Sequence, residues 1–121
     1  MTMSALLYDI RRPGSRLLIV TPQGSRATLH DAGSFRDMIL EEIGNGCRIL
    51  IINFEKVDFI DSTFMGALVV GWKKITSLNG SLVLTNLNDK MKDTFNLTQL
   101  DKKLTIAETV AEALLLFKAK E

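Results

Sequence analysis

Along this chain, short unbroken apolar runs alternate with stretches whose apolar residues return every three or four positions. Leu17, Leu18, Ile19 and Val20 form one run, Arg48 to Phe54 holds Ile49, Leu50, Ile51 and Ile52, and Leu82, Val83 and Leu84 form a third. Runs of this length, rich in β-branched residues, predict strands covered on both faces. Between them, Leu29, Ala32, Phe35, Ile39 and Ile43 fall on one helical face, with Arg36, Asp37, Glu41 and Glu42 mostly on the other. Thr28 is placed to cap that helix, Gly33 weakens its start, and Gly44 and Gly46 supply its stop.

The same reading predicts an edge strand over Ala5 to Ile10 and a turn at Arg11, Arg12, Pro13 and Gly14, with Pro22 and Gly24 ending the second strand. After a loop holding Glu55, Lys56 and Asp58, a second helix is predicted from Phe64 to Leu78, stopped by Gly80. Asn88 and Asp89 cap a third helix, Lys90 to Asn96, with Met91 and Phe95 on one face. Leu104 to Ile106 reads as a last strand. Glu108 to Lys120 reads as a last helix, with Val110, Ala113, Leu114 and Phe117 inward. Strands alternating with helices predict an α/β fold whose sheet has parallel members, with sites beyond the carboxyl ends of the strands.

Composition narrows the function classes. The 121 residues suffice for one domain, and 46% hydrophobic residues can fill its core. The net charge of +1, from 15 basic and 14 acidic residues, argues against a nucleic-acid binder and against electrostatic attachment to an acidic membrane. No apolar run approaches the ~20 residues of a membrane helix, and Met1 to Ile10 lacks the pattern of a secretory signal. One cysteine, Cys47, cannot form an intramolecular disulfide and suits a reducing compartment, so a soluble cytoplasmic protein is expected.

Few residues offer chemistry. Cys47, beside an apolar strand, reads as a small buried hydrophobe. His30 is the sole histidine and reads as a solvated residue at a helix start; no metal site and no serine–histidine pair is expected. Trp72 reads as core or edge packing, with an interface anchor as the other reading. Met65, Leu68, Val69 and Trp72 share helical spacing, which means core. Asp58 and Asp61 lack a third group that would make them an acid/base pair, and no phosphate-binding glycine loop with a lysine is present. No catalytic residue and no cofactor are expected, and the chain is not read as an enzyme.

The turn Asp61-Ser62-Thr63 stands out by position. It precedes a helix, where unpaired N–H groups and the helix dipole favour negative charge. A phosphate on Ser62 would be tolerated there and would add about −1.5 to −2 charge, enough to repel an acidic partner surface. Asp, Ser and Thr are also ordinary N-caps, and on the turn alone a plain helix start is the readier account.

The longer pattern changes that weighting. Asn53 through Leu68, containing Phe59-Ile60-Asp61-Ser62-Thr63-Phe64-Met65-Gly66, resembles the signature of bacterial STAS-domain anti-sigma-factor antagonists. The resemblance continues through Asn79 to Leu87 and Phe95 to Leu100. It implies a single small STAS domain over residues 1–121, a mixed β-sheet flanked by about four helices. It further implies phosphorylation at Ser62, with Thr63 as a secondary site and Asp61 positioning the hydroxyl. The implied partner-binding residues are Asp61, Ser62, Thr63, Phe64, Met65 and Gly66. The partners would be a serine kinase that is also an anti-sigma factor, bound only by the unphosphorylated form, and a protein phosphatase. Transcription regulation by partner switching follows, and ATP and magnesium belong to the kinase. A non-switching scaffold subunit of a signalling or transport assembly stays open, as does homodimerisation. Two departures stand out. Phe64 and Met65 replace a small glycine–leucine pair, so they either reshape partner choice or pack inward. Ser25, Arg26 and Ala27 follow Gly24 where an acidic pair is usual, and such acids contribute to kinase docking.

Overall fold

In the computed structural model, which describes residues 6–117, β1 (Tyr8–Gly14) and β2 (Leu17–Pro22) form an antiparallel pair. A two-residue strand β3 (Arg26–Ala27) leads into α1 (Leu29–Gly44), followed by β4 (Ile49–Asn53). A second short strand, β5 (Phe59–Ile60), leads into α2 (Ser62–Ser77). Then come β6 (Ser81–Thr85), α3 (Asp89–Leu97), a single 3-10 turn (Leu100–Lys102), β7 (Thr105–Ala107) and α4 (Val110–Leu115). The main sheet runs β1-β2-β4-β6-β7, and every pair after the first is parallel.

The unbroken apolar strands are explained by burial on both faces. Leu18, Val20, Leu50, Ile52, Leu82 and Leu84 point into the larger core with Phe35, Ile39, Leu68, Ile75, Met91 and Phe95 from α1, α2 and α3. Their neighbours Ile19, Ile51 and Val83 point the other way, onto Ala113 and Phe117 and the half-buried Val110 and Leu114. Among the described residues no helix is long and apolar enough to cross a membrane.

The structure corrects the sequence reading at several places. The expected turn at Arg11 to Gly14 is strand. β1 runs through Pro13 with a register shift between Arg11 and Gly14, and the chain reverses at Ser15 and Arg16. Proline is tolerated there because β1 is a sheet edge and its missing N–H breaks no ladder. Arg12 is thereby placed to fork onto Glu42 of α1, with both contacts at 2.8 Å, which lowers the Glu42 carboxyl pKa. Leu29, expected inward, is exposed because it opens α1 beyond the core contact. The last helix starts at Val110 rather than Glu108, because the Thr109 side chain caps it by accepting the Glu112 N–H at 3.1 Å. Ala5 of the expected first strand and positions 118–120 of the expected last helix lie outside the described residues.

Gly80 closes the α2–β6 corner. A β-carbon there would strike the Arg48 carbonyl oxygen, which accepts the Ser81 N–H at 2.8 Å, and would come within 2.7 Å of the Ile75 side chain. Gly80→Ala should therefore cost about 1–3 kcal/mol in urea unfolding, the range for forced overpacking. Cys47 is buried, and burial, reinforced by Glu42, pushes its thiol up to about 11. Iodoacetamide near neutral pH should modify it slowly in the folded chain and quickly in urea. The folded value lies above the ordinary thiol value of ~8.5. The contribution of this group to stability is therefore full below that value and declines as pH rises toward about 11.

Candidate functional site

β3 and β5 determine where the site lies. Each is the piece of chain just before a helix, and they pair in parallel, Arg26 with Phe59 and Ala27 with Ile60. The Asp61 N–H extends the pairing by donating to the Ala27 carbonyl at 3.1 Å. This small sheet brings the first turns of α1 and α2 side by side, at the carboxyl ends of β2 and β4.

Asp61 then ties the two starts together. One carboxylate oxygen accepts the Phe64 N–H at 2.9 Å, the ordinary N-cap bond of α2. The other accepts the Leu29 N–H at 2.7 Å, the first N–H of α1. The α1 start has its own capping box as well, in which Asp31 accepts the Thr28 N–H and the Thr28 side chain accepts the Asp31 N–H; the Thr28 hydroxyl also accepts the His30 N–H. Asp31 is buried, and its second oxygen accepts the Leu6 N–H at 3.1 Å.

With Asp61 as cap, Ser62 and Thr63 are the first two residues of α2, two positions earlier than the sequence indicated. Both are exposed, as is Gly66 one turn later. Their N–H groups precede the first intrahelical bond, donated by Met65 to the Asp61 carbonyl, and find no acceptor among the described residues. Phe64 and Met65, grouped with the partner-binding residues in the sequence reading, are 0% and 4% exposed. Their side chains are not on the surface, and of the two readings of that departure packing inward is the one observed. Phe64 stacks on Phe35 of α1 at 4.5 Å between ring centroids, and Phe35 meets Tyr8 of β1 at 5.5 Å. The Tyr8 hydroxyl has no hydrogen-bond partner among the described residues, and burial, reinforced by Asp31, raises its pKa.

The other flagged residues lie apart or play structural parts. His30 is exposed at the second position of α1, and Trp72 is half-buried against the larger core. Among the described residues no three His, Cys, Asp or Glu side chains gather as metal ligands would. The sequence reading missed three features of the site: the β3–β5 pairing, the Asp61–Leu29 bond, and the position of Arg26 with its guanidinium 4.3 Å above the exposed Phe59 ring.

Replacing Asp61 removes a cap from two helices at once. Asp61→Ala should cost about 1–3 kcal/mol in urea unfolding, above the ~1 kcal/mol of a single cap. Asp61→Asn should cost less, because the amide keeps one acceptor oxygen but presents donors on the other arm.

Comparison with known proteins bears on the family and the fold. The sequence model of the STAS domain matches residues 6–113. A candidate anti-sigma factor antagonist of Thermotoga maritima is 26% identical over 98 residues, 80% of this chain and 87% of that protein. A crystal structure of a candidate anti-sigma factor antagonist from the same organism superposes with a TM-score of 0.80 at 26% identity, covering 90% of this chain and 91% of that one. The phosphorylated form of the Bacillus cell fate determinant SpoIIAA gives a TM-score of 0.72 at 18% identity, covering 93% and 100%. On the matched model and the shared fold, this chain belongs to the STAS domain family.

Proposed function

We propose that this chain is a phospho-switchable protein-binding regulator of the anti-sigma-factor-antagonist kind, acting in a bacterial cytoplasm as one unit over residues 1–121. The observation that carries the reading is the display of Ser62. Its side chain is exposed in the first turn of α2, while Asp61 before it and Phe64 after it are locked in place. A kinase can reach the hydroxyl without unfolding the helix. The phosphate would sit beside the unpartnered N–H groups of Ser62 and Thr63, where a helix start favours negative charge. Thr63, also exposed, is the secondary acceptor.

In this reading the unphosphorylated face, Asp61 to Thr63 with Gly66, binds a serine kinase that is also an anti-sigma factor. Phe64 and Met65 serve from beneath by anchoring the helix. Phosphate on Ser62 ends the binding, and a protein phosphatase restores it, with transcription as the output. The chain works as a binding module with no cofactor of its own. SpoIIAA supports the reading: its phosphorylated and unphosphorylated forms both share this fold, each with a TM-score of 0.72.

Incubation with ATP, magnesium and each candidate serine kinase of the same genome, followed by mass spectrometry, should place phosphate on Ser62. Ser62→Asp should weaken binding to that kinase at least about tenfold, which corresponds to about 1.4 kcal/mol, whereas Ser62→Ala should bind like the wild type. Unchanged binding by both variants, with Ser62 unmodified, would favour a non-switching scaffold subunit instead.

A further inference from the structure

Around Ser62 the surface carries exposed apolar side chains and one arginine, Arg26, beside the carboxylates of Asp58 and Asp61. Leu29 is 59% exposed and Phe59 is 42% exposed, high values for such side chains. Both adjoin the site through the backbone. The Leu29 N–H bonds the carboxylate that caps the helix opened by Ser62, and Phe59 lies in the strand that runs into Asp61. Arg26, paired with Phe59 across the small sheet, lays its guanidinium over that ring at 4.3 Å. Its charge is unspent: among the described residues Arg26 forms no ion pair, the four present joining other residues. Both oxygens of Asp61 face helix N–H donors, and Asp58, though exposed, is not paired with Arg26.

We infer that this surface receives an acidic, partly apolar segment of the kinase, with Arg26 binding a kinase carboxylate and Leu29 packing against an apolar side chain. The inference rests on the phospho-switch reading of Ser62. A guanidinium held over a ring is pre-organised, so little side-chain freedom is lost when a carboxylate arrives. Arginine beside exposed apolar side chains is also the composition of interface hot spots. A nucleic acid would answer to the positive charge, but it would leave Leu29 unmatched and would need a wider basic field than a net charge of +1 provides. The arrangement gives the switch its sign. Before modification Arg26 is open to a partner carboxylate; afterwards a phosphate of about −1.5 to −2 charge on Ser62 repels that carboxylate.

The kinase that phosphorylates Ser62, found by the screen above, is titrated calorimetrically with wild type, Arg26→Glu, Arg26→Gln, Leu29→Ser and Ser62→Asp at low and high salt. Arg26→Glu should bind at least about tenfold more weakly, and Arg26→Gln and Leu29→Ser more weakly by smaller factors. Wild-type affinity should fall more steeply with salt than that of Arg26→Gln. Melting curves identify any variant that fails to fold, and the remaining variants then decide. If both Arg26 variants bind like wild type while Ser62→Asp does not bind, the inference is wrong and the switch stands. If Ser62→Asp also binds like wild type, or no kinase binds, both fall.

Discussion

The Asp61 carboxylate accepts an N–H from each of two helices, and one of these donors, Leu29, lies 32 positions away in sequence. The positions of the other parts of the site depend on it. It sets the first residue of α2, and so puts Ser62 and Thr63 on the surface and Phe64 against Phe35. It also holds the first turn of α1 beside that of α2, which neither helix would do alone, since two positive helix ends repel. A carboxylate between them offsets the repulsion while satisfying one orphan donor on each. The β3–β5 pairing supplies the backbone geometry that lets one side chain reach both.

What was legible in the sequence follows from the range of each interaction. The strands β2, β4 and β6 declare themselves because burial on both faces demands continuous apolar runs, and α1 and α2 because one buried face imposes helical spacing. Asp61 as a cap of α2 is a local signal, three residues from its donor. Its bond to Leu29 is not local, and β3 and β5 are two residues each, too short for any period to show. Pro13 and Gly14 misled for a different reason. They are turn residues in most settings, and only the position of β1 at the sheet edge, a property of the whole topology, lets them stay in a strand. Leu29 was read inward by spacing alone, although the first residue of a helix lies beyond the packed part of its face.

Phe64 and Met65 show how burial reassigns a role. In the sequence they are large residues where small ones are usual, and they sit among the residues most exposed to a partner. In the fold they are part of the core, and Phe64 joins α2 to α1 and, through Phe35, to Tyr8 at the sheet edge. The helix that carries Ser62 is therefore fixed from below by aromatic packing and at its start by Asp61. The surface it presents is small and polar, Ser62, Thr63 and Gly66, bordered by Leu29, Phe59 and Arg26.

That rigidity decides which equilibrium a phosphate on Ser62 would shift. Inside the domain, an anion at a helix start gains about 0.3–1 kcal/mol and disturbs no core contact, since Ser62 is exposed. Across an interface, an anion facing an acidic surface costs several kcal/mol, because the partner's carboxylates must give up water to approach it. The intramolecular effect would be small and favourable, and the effect on the proposed acidic partner larger and unfavourable. On the proposed reading, a phosphate at this position would therefore act on association and leave folding nearly untouched. A hydroxyl further along α2 on the buried face would do the reverse, trading the core for the switch. The first turn of α2 keeps these two consequences separate, with its charge outside and its anchors inside.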